Sequence, residues 1–121
     1  MSGKILIVDD EKDTVQMLTL ILKKDGYQVL AAYDGMQAVM LAHKENPDLI
    51  ILDIMMPAGS GYYVCDRLKL AAVTANIPVI ILSARAGQDT EEKAKSAGAR
   101  YFFKKPFDSE ELMRAVKEIL K

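Results

Sequence analysis

The sequence predicts an α/β protein in which helices cover both faces of a central parallel sheet. Three observations support this prediction: five short apolar runs, a helical pattern after each of them, and short loops between the two. Apolar runs rich in branched side chains are typical of strands buried on both faces, and their alternation with helices indicates repeated β–α–β units. The length of 121 residues suits one domain, which we expect to span residues 1–121.

The first half of the chain contains two strand–helix units. The apolar run Ile5–Val8 predicts the first strand, and Thr14–Lys24 carries apolar residues at every third or fourth position, which predicts a helix. A second strand is expected over residues 27–32. Asp34 and Gln37 then occupy the two positions of a capping box, so a second helix is expected to start there and to run to the next proline.

The second half of the chain repeats the same alternation three times. The predicted segments are, in order, a strand over 49–52, a helix over 62–72, a strand over 78–83, a helix over 89–97, a strand over 100–104 and a last helix after residue 108. The run Leu49–Leu52 is continuous, apolar and bounded by Pro47, which favours a fully buried central strand. Asp108 and Glu111 stand at capping positions for the last helix.

Acidic residues follow the first and the third predicted strand. Asp9 and Asp10 come directly after one apolar run, and Asp53 comes directly after the other. In the flavodoxin-like (βα)5 arrangement, a doubly wound parallel sheet with strand order 2-1-3-4-5, these strands are neighbours at the crevice where such folds bind ligands. Carboxylates about 4 Å apart repel each other by roughly 4 kcal/mol per pair. The cluster therefore needs raised pKa values or a cation, and Mg²⁺ suits a site made of a few carboxylates.

Two further side chains lie at the carboxyl ends of the fourth and the fifth predicted strand. Ser83 supplies a hydroxyl and Lys105 supplies a cation at the same expected edge of the sheet. Together with Asp53 and a divalent metal they form the inventory that phosphoryl transfer requires, because that reaction depends on positioning and on neutralising charge. A carboxylate such as that of Asp53 can accept a phosphoryl group as an acyl phosphate.

Over its full length the chain resembles the receiver (response-regulator) domain of two-component signalling. The motifs that carry the resemblance are Ile7-Val8-Asp9-Asp10, Leu52-Asp53 followed by Met56-Pro57 and Gly61, Leu82-Ser83-Ala84, Gly98-Ala99, and Lys105-Pro106-Phe107. Each motif alone is weak evidence. Found in this order and at these predicted strand ends, they are specific.

The resemblance implies a phosphate acceptor and a metal site. Asp53 would be the phospho-acceptor, Asp10 would bind Mg²⁺ directly, and Asp9 would act beside it, largely through water. Met55 would offer only its backbone carbonyl to the metal. Glu11 lies outside this set and is expected to cap the next helix or to be solvated.

The resemblance also implies how the phosphoryl group would be bound and sensed. Ser83 would donate a hydrogen bond to one phosphoryl oxygen, and Lys105, rather than the adjacent Lys104, would pair with another. The Lys105–Pro106 peptide bond is expected to be cis. Phe102 takes the place of the family's switch aromatic, often Tyr, and it lacks a hydroxyl to offer a partner.

Composition and charge limit the classes of partner that the chain is expected to bind. The formal net charge of −1 gives no support for a nucleic-acid surface, and no apolar run reaches the roughly 20 residues of a membrane span. A single cysteine, Cys65, and a start too short for a signal peptide fit a reducing cytoplasm. The resemblance implies a sensor histidine kinase or histidine phosphotransfer protein as phosphate source, a downstream effector protein or domain, and a phosphorylation-dependent homodimer as a further possibility.

Three other functions remain as alternatives. A receiver-like module could bind partners without phosphorylation, although every site position is filled. A Mg²⁺-dependent phosphatase of the haloacid-dehalogenase type would need a second Asp two residues after the first, where this chain has Met55. A flavodoxin-like cofactor binder would need a phosphate loop of small polar residues after the first strand, and the acidic residues found there would repel phosphate.

Overall fold

Strands and helices alternate along the whole described chain. The structure, a computed structural model, describes residues 3–54, 61–84 and 88–121. The elements are β1 Lys4–Val8, α1 Lys12–Lys24, β2 Gln28–Ala32, α2 Gly35–Glu45, β3 Leu49–Asp53, α3 Gly61–Leu70, β4 Val79–Ser83, α4 Gln88–Ser96, β5 Tyr101–Lys104 and α5 Ser109–Leu120. Within these residues, no helix combines the length and the apolar character needed to cross a bilayer.

The five strands form one parallel sheet in the order β2-β1-β3-β4-β5, which confirms the predicted fold class and strand order. The register brings the carboxyl ends of the strands to one edge. Val8 lies opposite Leu52 on β1 and β3, and Asp53 lies opposite Leu82 on β3 and β4. Residues that directly follow β1 therefore lie beside the end of β3, as the switch-point rule for such sheets requires.

Among the described residues, the core consists of two clusters, one on each face of the sheet. Alternate residues of β1 and β3 enter different clusters because successive side chains on a strand point to opposite faces. One cluster joins Leu6, Ile50 and their neighbours to α2, α3 and α4, and the other joins Ile5 and Ile51 to α1 and α5. The central strands are almost fully buried, and each such Leu or Ile contributes about 1.5–3 kcal/mol through burial. This packing makes the sheet edge a rigid base for the residues that follow it.

Helix boundaries differ from the predicted ones by one or two residues, for local reasons. The third helix ends at Leu70 rather than at residue 72, and the buried Thr74 hydroxyl donates to the Leu68 carbonyl 2.6 Å away, which satisfies a helix-end acceptor. At α2, Asp34 caps the Gln37 N–H at 2.8 Å as predicted. The Gln37 amide oxygen, however, accepts from the Tyr33 N–H instead of completing the capping box.

Candidate functional site

Three carboxylates meet at the carboxyl edge of the sheet. Asp9, Asp10 and Asp53 each offer one oxygen, and these atoms all lie within 4.8 Å of one another. Asp9 is 1% exposed and Asp53 is 4% exposed, whereas Asp10 lies at the surface. The predicted meeting of the first and third strand ends is therefore present, with two of the three acidic groups almost removed from water.

Backbone contacts fix Asp9 and Asp53. The Asp9 N–H donates to the Ala32 carbonyl at 3.1 Å, which extends the β1–β2 pairing by one residue. The Asp9 carboxylate accepts from the Glu11 N–H at 2.9 Å, so it closes the turn into α1. Asp53 is the last residue of β3, and the next N–H, that of Ile54, donates to the Leu82 carbonyl of β4 at 3.0 Å. Both carboxylates thus stand on the last paired positions of a buried sheet.

Lys105 brings a cation into the acidic cluster. Its ammonium lies 2.8 Å from Asp9 Oδ2, 3.1 Å from Asp53 Oδ2 and 3.3 Å from Glu11 Oε1. The backbone N–H of Lys105 donates to the backbone carbonyl of Ser83 at 2.7 Å, and the Lys105–Pro106 peptide bond is cis. An ammonium has three N–H donors, so each can be directed at a different carboxylate.

The electrostatics of the cluster follow from burial and from this cation. Burial raises the pKa of Asp9 to about 6, and the charge of Asp53 acts in the same direction. Hydrogen bonds from Lys105 and from the Glu11 N–H oppose this rise. Burial acts to lower the pKa of Lys105, but the hydrogen bonds and charges of Asp9 and Asp53 outweigh it, so that pKa is raised. Lys105 therefore stays charged at neutral pH, whereas the carboxyl of Asp9 titrates about one pH unit below neutrality.

Ser83 and Phe102 lie at the neighbouring strand ends. Ser83 is the last residue of β4, fully buried, and follows Leu82, the register partner of Asp53. It lies opposite Lys104 of β5, whose side chain is exposed, while the ammonium of Lys105 enters the acidic cluster. Phe102 is partly buried and packs against the core cluster on the α2, α3 and α4 face.

The β3–α3 connection is only partly described. Met55, the predicted backbone ligand, lies outside the described residues, as do Met56 and Pro57 of the motif. Gly61 at its far end lies against the backbone of Ile54, and a Cβ at position 61 would stand 2.6 Å from the Ile54 Cα. The Gly61 N–H also donates to the Ile54 carbonyl at 3.2 Å. Only glycine permits such a close approach to the backbone of Ile54, the residue that directly follows Asp53.

Glu11 contacts the site although its sequence pattern does not predict a role there. It holds the N-cap position of α1, but its side chain makes no capping hydrogen bond, which leaves the solvated alternative of the prediction. The side chain is 65% exposed, as a solvated residue would be, but its carboxylate contacts Lys105 at 3.3 Å. The residue type gave one indication of this role. Ser, Thr, Asp and Asn are the strong N-cap residues, so a Glu at this position is less suited to cap the helix and is free to contact another group.

The donor set suits a divalent metal. Three carboxylate oxygens within 4.8 Å of one another are hard ligands, and among the described residues no softer His or Cys ligand joins this group. Hard oxygen donors of this kind select Mg²⁺, Ca²⁺ or Mn²⁺ over soft metals. The exposed position of Asp10 leaves one side of the cluster open to solvent, where a metal could keep bound water.

Known proteins resemble this chain over nearly its whole length. A family model of the response regulator receiver domain matches residues 5–117. The chain is 40% identical over 120 residues to sporulation initiation phosphotransferase F of Bacillus subtilis (strain 168), covering 99% of this chain and 95% of that protein. The chemotaxis protein CheY4 of Vibrio cholerae matches with a TM-score of 0.91 at 28% identity, over 98% of this chain and 99% of that chain. A receiver domain of a sensor histidine kinase from Pseudomonas aeruginosa PAO1, with magnesium coordinated in its active site cleft, matches with a TM-score of 0.90 at 30% identity, over 100% of both chains.

Proposed function

This chain belongs to the response regulator receiver domain family, the phosphorylation-activated switches of two-component signalling, and we propose that Asp53 is its phosphate acceptor. One observation carries the proposal: the ammonium of Lys105 lies 3.1 Å from Asp53 Oδ2 at the edge of the sheet, inside a group of three carboxylates. Asp53 has the position of a nucleophile that is held rigidly, and Lys105 has the position of a cation that can stabilise incoming phosphoryl oxygens. We take the receiver domain to span residues 1–121.

A magnesium ion fits the carboxylates around Asp53. Asp10 and Asp53 would hold it directly, and Asp9 would act beside them, largely through water. The family resemblance implies the backbone carbonyl of Met55 as a further ligand. When bound, Mg²⁺ neutralises charge on the phosphoryl oxygens and on the attacking carboxylate. The magnesium-bound receiver domain of the histidine kinase from Pseudomonas supports this assignment, because its fold matches that of this chain along its entire length.

The residues of this chain divide the work of phosphoryl transfer. The Asp53 carboxylate attacks phosphorus, a new P–O bond forms, and the P–N bond of a phosphohistidine donor breaks with its electron pair left on the imidazole nitrogen. Lys105 directs N–H donors at the phosphoryl oxygens. Ser83, at the end of β4, donates its hydroxyl to another of these oxygens. We expect Ser83 to move toward the phosphoryl group and Phe102 to swing into the space that Ser83 leaves, which changes the surface beside β5.

The partners follow from the same family membership. Receiver domains exchange phosphoryl groups with histidine kinases or histidine phosphotransfer proteins, and the relative from Bacillus subtilis is named as a phosphotransferase. We propose a sensor histidine kinase or a histidine phosphotransfer protein as the phosphoryl donor, and a downstream effector protein or domain as the partner that binds the phosphorylated form. Phosphorylation-dependent pairing of two copies is a further proposal. A reducing compartment suits the buried free thiol of Cys65, and we place the protein in the cytoplasm.

Intact-mass measurement tests the proposed function. The wild type and an Asp53→Asn variant are incubated with acetyl phosphate, each with Mg²⁺ and with excess chelator. We expect a gain of one phosphoryl group by the wild type with Mg²⁺ only, and no gain by the variant. A wild type that gains no mass would contradict the proposal and would favour a receiver-like module that binds partners without phosphorylation.

A further inference from the structure

Glu11 makes a contact that the proposed function does not use. Its carboxylate lies 3.3 Å from the Lys105 ammonium, although the two residues are separated by 94 positions in the sequence. The same residue holds the N-cap position of α1, where a side chain usually accepts a hydrogen bond from the helix, and it accepts none. The Glu11 side chain therefore turns away from its own helix and towards the site.

The three contacts of Lys105 are unequal. The side chains of Asp9 and Asp53 are 2% and 6% exposed, and their carboxylate oxygens lie 2.8 and 3.1 Å from the ammonium. Glu11 is 65% exposed and lies farther away, at 3.3 Å. Separating a buried carboxylate from a cation that it contacts is costly, whereas an exposed carboxylate regains water when its partner leaves. Glu11 is therefore the partner that Lys105 can release most easily.

Phosphoryl transfer requires such a release. An ammonium has three N–H donors, and in this structure three carboxylates lie within reach of them. To bind a phosphoryl oxygen, Lys105 has to redirect at least one donor. The contact with Glu11 would hold the ammonium back before transfer and would compete with the incoming phosphoryl group.

We propose that Glu11 is a positioning residue, which restrains Lys105 in the unphosphorylated protein and thereby slows the phosphorylation of Asp53. The inference rests on the proposed role of Asp53 as acceptor. With acetyl phosphate as donor, the Asp53 carboxylate forms a new P–O bond, the P–O bond to the acetyl group breaks, and acetate leaves with the electron pair. Glu11 takes no part in these bonds and acts only through Lys105.

Three variants separate positioning from charge. Glu11→Gln removes the charge, whereas Glu11→Asp keeps it on a side chain that is one methylene shorter and that favours the N–H groups of its own helix. Asp13→Asn is the matched control, because Asp13 is an exposed acidic residue in the first turn of the same helix. At saturating Mg²⁺ we expect both Glu11 variants to be phosphorylated by acetyl phosphate about two- to fivefold faster than the wild type, the range of one exposed ion pair. The control is expected to match the wild type.

Nuclear magnetic resonance of the Lys105 ammonium provides a readout that does not depend on phosphorylation. We expect its N–H protons to exchange with water faster in both Glu11 variants than in the wild type and in Asp13→Asn. Unchanged exchange in the Glu11 variants, unchanged or slower phosphorylation of them, or an equal acceleration in Asp13→Asn would overturn the inference. A wild type that takes up no phosphate would instead refute the role of Asp53, and the exchange rates would still decide whether Glu11 restrains Lys105.

Discussion

Replacing Lys105 with methionine should destabilise the metal-free protein in a pH-dependent way. The change keeps most of the aliphatic side chain and removes the ammonium that lies 2.8 Å from Asp9 and 3.1 Å from Asp53. Both carboxylates are almost fully buried, so neither can replace the lost cation with water. The adjacent Lys104→Met is the matched control because Lys104 is exposed, and we expect it to stay within about 0.5 kcal/mol of the wild type.

The magnitude follows from the pKa of Asp9. With Lys105 present, the pKa of Asp9 is raised to about 6, so Asp9 is mostly ionised at pH 7. Without the cation, we expect the buried Asp9 to be protonated at pH 7. Protonating a group of pKa about 6 at pH 7 costs about 1.4 kcal/mol, at 1.36 kcal/mol per pH unit. Loss of the charged hydrogen bond to Asp53 adds about 1.5–3 kcal/mol. We therefore expect the free energy of unfolding to fall by about 3 kcal/mol at pH 7. At pH 5, where Asp9 is already protonated in the wild type, only the Asp53 part, about 2 kcal/mol, remains.

The sign of the pH dependence can be derived from the same values. The folded-state pKa of Asp9, about 6, lies above its ordinary value of 3.8, so the folded wild type binds more protons than the unfolded chain between these values. The Asp9 contribution to stability therefore declines as pH rises from about 4 to 6 and then levels off. Without Lys105 the pKa rises further, and the decline continues past neutral pH.

Urea unfolding followed by circular dichroism, with chelator present, measures both effects. The variants are compared at pH 5 and pH 7 from linear extrapolation to water. A loss in Lys105→Met that is the same at both pH values, or a variant as stable as the wild type at pH 7, would refute the account of the cluster.

Three further predictions concern other parts of the structure. Cys65 is 3% exposed, and burial raises the pKa of its thiol to about 11. We therefore expect the thiol to resist a disulfide reagent at pH 8 in the folded protein and to react in urea. Fast reaction of the folded protein would contradict this packing. Gly61→Ala places a Cβ 2.6 Å from the Ile54 Cα, and we expect a loss of about 1–3 kcal/mol in urea unfolding, whereas an unchanged midpoint would show that the backbone relaxes freely. Mg²⁺ at ten times its Kd should raise the unfolding free energy by about 1.4 kcal/mol. Asp10→Asn should weaken that rise at the same concentration, and an equal rise in this variant would exclude Asp10 as a ligand.

The fold could be predicted because burial and residue type agree along the chain. The branched run Leu49–Leu52 is fully buried, as a central parallel strand must be, and its neighbour Ile5–Val8 has the same character. Helix ends were less accurate. The first helix begins at Lys12, two residues before the predicted Thr14, because Lys12 and Asp13 are polar and exposed and so precede the first apolar residue of the pattern.

The candidate site could be predicted where a residue's position on the backbone decides its location. Asp9, Asp10 and Asp53 meet because parallel strand ends share one edge, and that follows from strand order alone. Side-chain partners do not follow from strand order. The direction of the Glu11 side chain depends on a lysine far along the chain, which only the three-dimensional structure brings near. The size of the rise in the pKa of Asp9 depends on how deeply that carboxyl is buried.

Chemical mapping of the phosphorylated residue tests the central claim most directly. The protein is treated with acetyl phosphate and Mg²⁺, reduced with borohydride, which converts an aspartyl phosphate to homoserine, and digested for tandem mass spectrometry. The account predicts homoserine at position 53 and aspartate at positions 9 and 10, with no conversion when the phosphate donor is omitted. Conversion at position 9 or 10, or phosphate found on a serine or a histidine with position 53 intact, would contradict it.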